Sequence, residues 1–479
     1  MKRKSGVLMH ISSLHGRFSC GAFSNEAKEF IDFLSDSGFS CWQVLPFNSV
    51  DEFGSPYKSC SAFGGNIYFV DVEQLFSMGL ITKEELSECV QNVPYAVEFE
   101  RLYAERLSII EKAAKRADKK LVSECETFAE QNPEINNYCK FMALKEENGG
   151  AEWQKWQNFN PNPERLFVHR FSQYIFFSQW KKIKDYAKSK GVEIIGDVPI
   201  YVSADSADTL YNPKGFLLDE KGYPSMVAGV PPDYFSAEGQ LWGNPLYNFS
   251  EMEKDDFLWW KKRMNHMFSM FDGVRIDHFR GFESFWAVDA DAKTAAGGRW
   301  IKAPGEKIVE ALKQTKKDKL IIAEDLGDIT EEVYKLLEKS GFPGMRVFQF
   351  GFLSDGESTH KPHNYTNNTV AYSGTHDNNT LLGYLWELDD EKRKEVLKYC
   401  GYKNDNWEQG YENMIRSVMA SNAGIAIFPI QDILKFGADT RLNTPGRAEG
   451  NWSFRITKEQ FSSIDRGYWR EVNKTYGRI

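Results

Sequence analysis

An α/β fold of the (β/α)8 TIM-barrel type, interrupted by insertions, is what this 479-residue sequence predicts. Three observations carry the prediction. Short runs that are apolar throughout, with no alternation, recur along the chain, as in parallel strands covered on both faces. Amphipathic stretches with helical spacing lie between several of them. Three isolated carboxylates, Asp277, Glu324 and Asp377, each follow an apolar run, as in a site assembled at the C-terminal ends of separate barrel strands.

In chain order the runs are 6–11 (GVLMHI), 41–46 (CWQVLP), 192–200 (VEIIGDVPI), 273–278 (GVRIDH), 319–325 (KLIIAED), 344–350 (GMRVFQF), 369–374 (TVAYSG) and 424–430 (GIAIFPI). Helices are predicted at 25–38, 168–190, 302–317 and 330–340, the last bounded by Thr330 and Gly341 as caps. Eight strands with intervening helices count to a barrel. A doubly wound open sheet would carry a Gly-rich nucleotide turn after its first strand, and SSLHGRFSCG has no such motif. About 145 residues separate the second run from the third, too many for a simple βα unit. Residues 75–165 in that gap are read as an inserted, mainly helical subdomain. The stretch 229–248 (GVPPDYFSAEGQLWGNPLYN) is read as a long active-site loop. The whole chain, 1–479, is thus one catalytic barrel with insertions.

Composition narrows the function. With 59 Lys plus Arg against 68 Asp plus Glu, the net charge of -9 argues against a nucleic-acid binder. The seven Cys show no CxxC pairing, so reduced thiols are expected, not a disulfide frame or a zinc site. The apolar run after MKRKSG is only Val7, Leu8 and Met9, too short for a signal peptide, and no segment approaches a membrane span. A cytoplasmic protein with no membrane partner is expected. Aromatics make up 14% of the chain, many in loops rich in Gly, Pro and Asn, which suits the apolar faces and hydroxyl rims of sugars as well as plain core packing.

The carboxylates point to glycosidic-bond chemistry, in which a retaining enzyme pairs a nucleophile with an acid/base. Asp277 is the better nucleophile: Arg275, two residues earlier on a strand, faces the same way and would orient it. Glu324 is the better acid/base, since Leu320, Ile321, Ile322 and Ala323 lead up to it and would help to desolvate it. Asp377 can grip two sugar hydroxyls, with His376 beside it as a further hydrogen-bonding group. A metal bound by His376 and Asp377 is not expected, because neighbours on a strand point to opposite faces. No GxSxG elbow supports a serine nucleophile. Asp197, in IIGDVPIYV, is a fourth strand-end acid, expected to hold neighbouring groups in place.

Seven motifs extend these readings: GSPYKSCSAFGGN (54–66), GDVPIYVSADSAD (196–208), PPDYFSAEGQLWGNP (231–245), GVRIDHFRG (273–281), AEDLG (323–327), GTHDNNT (374–380) and RLNTPGRAEGNWSFR (441–455). Together they make the chain resemble the 4-α-glucanotransferases of glycoside hydrolase family 77, also called amylomaltases or disproportionating enzymes, in the α-amylase clan. The resemblance covers about residues 6–455 and is thinnest over 75–165. It implies a barrel with inserted subdomains and no separate C-terminal β-domain. It implies Asp277 as nucleophile, Glu324 as acid/base and Asp377 as transition-state stabiliser, with Arg275 and His376 against the nucleophile or its sugar. Tyr57, Asp197, Trp242 and Asn244 would line sugar subsites, and Tyr234 and Phe235 would cap the loop around which glucan winds. Unlike ordinary α-amylases, the chain has no His in the third-strand motif, where Val-Pro-Ile-Tyr follows Asp197, and no calcium-binding region is read from it.

The implied reaction moves α-1,4-glucan segments to the 4-hydroxyl of glucose or a maltooligosaccharide by a double displacement, without cofactor or metal. A hydrolase or branching enzyme of the same clan is the alternative, and a non-catalytic glycan binder the third reading.

Overall fold

The computed structural model describes residues 1–232, 238–354, 356–403 and 407–479, with backbone alone at 407–409. Its central sheet comprises β1 (Lys4–Leu8), β2 (Cys41–Gln43), β3 (Glu193–Val198), β4 (Gly273–Ile276), β5 (Leu320–Ala323), β6 (Gly344–Val347), β7 (Thr369–Tyr372) and β8 (Ile425–Pro429). These close into a barrel in the order β1-β8-β7-β6-β5-β4-β3-β2, every neighbouring pair parallel. Each apolar run supplies one strand.

Two buried clusters explain why the runs do not alternate. Leu8, Cys41, Ile195, Ile322, Met345, Val370 and Ile425 pack together inside the barrel. Their sequence neighbours Val7, Trp42, Ile194, Ile321, Ala371 and Ala426 belong to the cluster shared with the surrounding helices. Both faces of each strand are thereby dry. The strands are shorter than the runs because the chain turns at the rim. Ile11–Ser13 and Phe348–Phe352 are 3-10 turns, not strand.

The β5–β6 seam is held by a side chain. These strands share one register pair, Gly344 with Ala323. Beyond it Asp325 accepts from the Met345 amide at 2.6 Å and from Arg346 Nη1 at 2.8 Å. A Cβ on Gly344 would lie 2.6 Å from the Asp325 carboxylate, so glycine is required there. The residue beside Glu324 thus clamps the strand end that carries it.

Between β2 and β3 lie helices Val72–Ser77, Lys83–Glu88, Phe99–Lys115, Lys119–Gln131 and Pro133–Glu147. Their ends are capped from the sequence, Asp118 accepting from the Leu121 amide at 2.8 Å and Thr82 with Glu85 forming a capping box. The long helix Pro163–Ser189 packs against the last three of them and leads into β3. It starts five residues before the predicted stretch, at a Pro that suits a first helical turn. Helix Glu331–Ser340 ends as predicted on Gly341 in left-handed conformation, φ 69°, but Thr330 at its start makes no side-chain cap bond.

Sequence reading missed a four-stranded antiparallel sheet. Its order is Gln240–Pro245, Met226–Val230, Ser284–Asp289, Arg299–Lys302. The stretch 229–248, read as structureless loop, therefore includes one strand and the end of another. Gly229, Gly243 and Pro245 hid them, being residues that weaken strand interiors or cannot donate to a ladder. After β8 the described residues hold no further strand and end in helices Lys458–Ser462 and Arg466–Thr475. No helix among the described residues is long and apolar enough to cross a membrane.

Candidate active site

The register of the barrel builds the centre of the site. Asp197 on β3 lies opposite Arg275 on β4, which lies opposite Ile322 on β5. Asp197 and Arg275 therefore share the inward face. Arg275 Nη1 reaches both Asp197 oxygens at 2.8 and 2.9 Å, and its Nη2 reaches Asp277 Oδ1 at 2.7 Å. Arg275 is 3% exposed and Asp197 1%. Burial pulls the guanidinium down, but the charges of Asp197 and Asp277 outweigh it and hold Arg275 well above its ordinary value. Burial pushes the Asp197 carboxyl up against the opposing pull of Arg275. Arg275→Met, which strands these carboxylates without their cation, is expected to cost about 3 kcal/mol of stability. Urea denaturation checks this, and an unchanged midpoint would refute the structural role of the pair.

From Asp197 the network continues across the barrel mouth. Tyr57 Oη donates to Asp197 Oδ2 at 2.7 Å and lies 2.9 Å from His376 Nε2. Burial and the Asp197 charge raise the Tyr57 hydroxyl well above 10, so its single proton stays and points at Asp197. The His376 Nε2 hydrogen must then donate to the Tyr57 oxygen. The two rings stack at 5.3 Å and 13°, and Trp452 lies within 6 Å of both. His376 Nε2 is also 3.3 Å from Asp377 Oδ2. Asp377 Oδ1 accepts from Asn443 Nδ2 at 2.6 Å, and its carbonyl accepts from Arg441 at 2.6 Å.

That His376–Asp377 contact corrects one step of the sequence argument. β7 ends at Tyr372, so both residues lie in the following turn, where strand alternation does not apply. Among the described residues no group of three or more His, Cys, Asp or Glu is arranged to hold a metal ion.

Glu324 follows β5 and is 8% exposed. Its Oε2 accepts from the His278 amide at 2.6 Å and its Oε1 from the Leu326 amide at 2.9 Å. Burial, then the charge of Asp277, push its carboxyl up to about 8, against the opposing pull of Arg275 and the two amides. His278 makes its contact from a left-handed conformation, φ 53° and ψ 51°, which costs a non-glycine residue roughly 1 kcal/mol. Burial lowers the His278 ring to about 4, so it is neutral at pH 7.

Trp242 stands edge-on to His278 at 4.9 Å and 81°. Asn244, from the same strand, spends its amide on the Val202 carbonyl at 2.9 Å and so braces the loop after β3. Tyr234 and Phe235 lie outside the described residues. Six of the sequence-chosen residues thus form one connected series, Asp377–His376–Tyr57–Asp197–Arg275–Asp277. Glu324 lies beside it, tied to the amide next to Asp277. Asn443, Arg441, Trp452, His278 and Asp325 were not singled out, although all lie inside quoted motifs.

A parallel barrel whose strand ends gather these carboxylates, with one carboxyl kept protonated near neutral pH, is a glycan-processing enzyme by class. Residues 9–460 match the family model described as 4-alpha-glucanotransferase. The chain is 40% identical to the 4-alpha-glucanotransferase of Streptococcus pneumoniae over 500 residues, covering 100% of this chain and 98% of that one. It is 40% identical to that of Aquifex aeolicus over 491 residues, covering 99% of each. The fold superposes on the amylomaltase of Streptococcus agalactiae, solved in complex with acarbose, with a TM-score of 0.96 at 37% identity and full coverage of both chains. The chain belongs to the 4-alpha-glucanotransferase family.

Proposed function

We propose that Asp277 is the nucleophile, Glu324 the acid/base and Asp377 the transition-state stabiliser of a retaining transfer between α-1,4-glucans. The observation that carries this reading is the contrast between neighbouring carboxyls. Glu324 is buried and held protonated near neutral pH, whereas Asp277 is 29% exposed at its side chain and ion-paired through one oxygen to Arg275. Among the described residues Asp277 Oδ2 accepts no hydrogen bond, which leaves it for attack on the anomeric carbon.

Glu324 gives its proton to the departing glycosidic oxygen as the bond from Asp277 Oδ2 forms. A covalent glycosyl-enzyme results, and the released segment leaves. An incoming sugar 4-hydroxyl then loses its proton to Glu324 as its oxygen displaces Asp277, restoring an α-1,4 bond with retention. Asp377, braced by Asn443, would bind the hydroxyls of the reacting ring, and Tyr57 and His376 would pack against that ring. Maltooligosaccharides serve as donors, and glucose or a maltooligosaccharide as acceptor. The segment 229–248, which carries Trp242 beside His278, would limit the access of water.

Incubation with maltotriose tests the reading. Glucose and longer maltooligosaccharides are expected, with total reducing ends nearly constant. A steady rise in reducing ends would replace transfer by hydrolysis, and an unchanged substrate would leave a glycan binder.

A further inference from the structure

We infer that Asp432, on the short helix Ile430–Ile433 after β8, is the positioning residue of Asp377, because it pins both ends of the turn that carries His376 and Asp377. This inference rests on the transferase reading above, in which Asp377 stabilises the transition state.

The turn occupies residues 374–380, between the end of β7 at Tyr372 and the helix Leu381–Glu387. Asp432 grips it from both sides. Its Oδ2 accepts from the Ser373 hydroxyl at 2.5 Å, and its Oδ1 accepts from the Leu381 amide at 2.8 Å. One carboxylate thereby fixes the entry and the exit of the turn. On its own such burial is unfavourable. Asp432 is 1% exposed, and burial pushes its carboxyl up to about 6 against the pull of these two donors. Among the described residues no cation pairs with it. Packing alone would be served better by an apolar side chain of that size; what the acid supplies is two acceptors at a fixed spacing.

The same helix secures the other support of Asp377. Gln431, next to Asp432, donates to the Thr440 carbonyl at 3.1 Å. The segment that follows holds the turn directly. Arg441 and Asn443 reach the carbonyl and Oδ1 of Asp377, and the Asn443 amide donates to the His376 carbonyl at 3.1 Å. The helix is itself fixed by the Tyr411 hydroxyl, which donates to the Asp432 carbonyl at 2.8 Å. Both supports of Asp377 therefore depend on two neighbouring residues, Gln431 and Asp432. Buried behind the turn, Asp432 acts on the sugar only through Asp377.

The test is a double-mutant cycle, read as kcat and KM for fluoride release from maltosyl fluoride, a donor reactive enough to keep weakened variants measurable. Asp432→Ala is expected to lower kcat about thirtyfold with KM within about threefold of wild type, since displacing a group that acts in the transition state lowers turnover more than binding. In an Asp377→Asn background the same substitution should lower kcat at most about twofold, because the group it positions has gone. Asp432→Asn, whose oxygen can accept from the Leu381 amide while its amide donates to the Ser373 hydroxyl, should keep kcat within about threefold of wild type. If Asp432→Ala does not fold, Ser373→Ala, which frees one end of the turn only, should lower kcat about fivefold with the same dependence on Asp377. An unchanged kcat, losses equal in the two backgrounds or confined to KM, or no rescue by asparagine overturns the positioning role alone. Wild-type kcat in Asp377→Asn would strike the stabiliser, and this inference with it.

Discussion

Asp277→Asn is expected to lower maltotriose disproportionation by at least about 10⁴-fold while leaving the melting midpoint and circular dichroism close to wild type. The substitution keeps the shape of the side chain, and the amide oxygen can still accept from Arg275 Nη2, now 2.7 Å from Oδ1. What disappears is the charge proposed to attack the anomeric carbon. A second effect follows from electrostatics. Asp277 is the largest charged contributor to the raised Glu324 carboxyl, second only to burial. Without it Glu324 should titrate lower, so any residual activity should lose its alkaline limb at lower pH than wild type. Initial rates by product chromatography over a pH series measure both. Residual turnover within about a hundredfold of wild type would remove Asp277 from the nucleophile role.

The barrel was legible because its strands are buried on both faces. Runs such as IIGDVP and LIIAED carry no polar alternation, and that absence is the mark of a parallel sheet under helices. The side sheet was not legible for the opposite reason. Met226–Val230 and Gln240–Pro245 are short and interrupted by Gly, and the second is a largely exposed edge strand, so local propensity speaks against them and only tertiary pairing makes them strands. Within the site, spacing alone predicted the Arg275–Asp277 contact, since residues two apart on a strand share a face. Spacing misjudged His376 and Asp377, because where a strand ends is set by its partners and not by its own residues. Backbone-mediated roles left no trace in residue type. His278 serves Glu324 through its amide and a left-handed φ, and Asp325 replaces ladder hydrogen bonds at a seam that exists only once β5 and β6 meet.

Glu324→Gln is expected to reduce maltotriose turnover by about 10³-fold, within the range general acid–base catalysis contributes. The loss in the first step, read as the initial burst of fluoride release, should shrink sharply with a maltosyl fluoride donor, because fluoride departs without a proton. The first step then outruns the second, in which no carboxylate is left to deprotonate the acceptor, and the glycosyl-enzyme should accumulate on Asp277, visible by mass spectrometry of the intact protein. Equal losses of the first step on both donors would exclude Glu324 as the acid. In wild type the raised carboxyl predicts an alkaline limb in kcat/KM near pH 8, where the acid form is lost. In the proposed cycle the same carboxyl would serve as base in the second step, because esterification of Asp277 would remove the negative charge that helps to raise it. Stability carries a matching signature. Between about 4.5, the ordinary value, and about 8 the folded protein keeps a proton on Glu324 that the unfolded chain has released, so this group makes wild type less stable as pH rises through that window. Glutamine does not titrate, and the melting midpoint of Glu324→Gln should therefore gain on wild type from pH 5 to pH 8. A midpoint difference that stays flat across that range would mean that Glu324 is not held protonated in the folded enzyme.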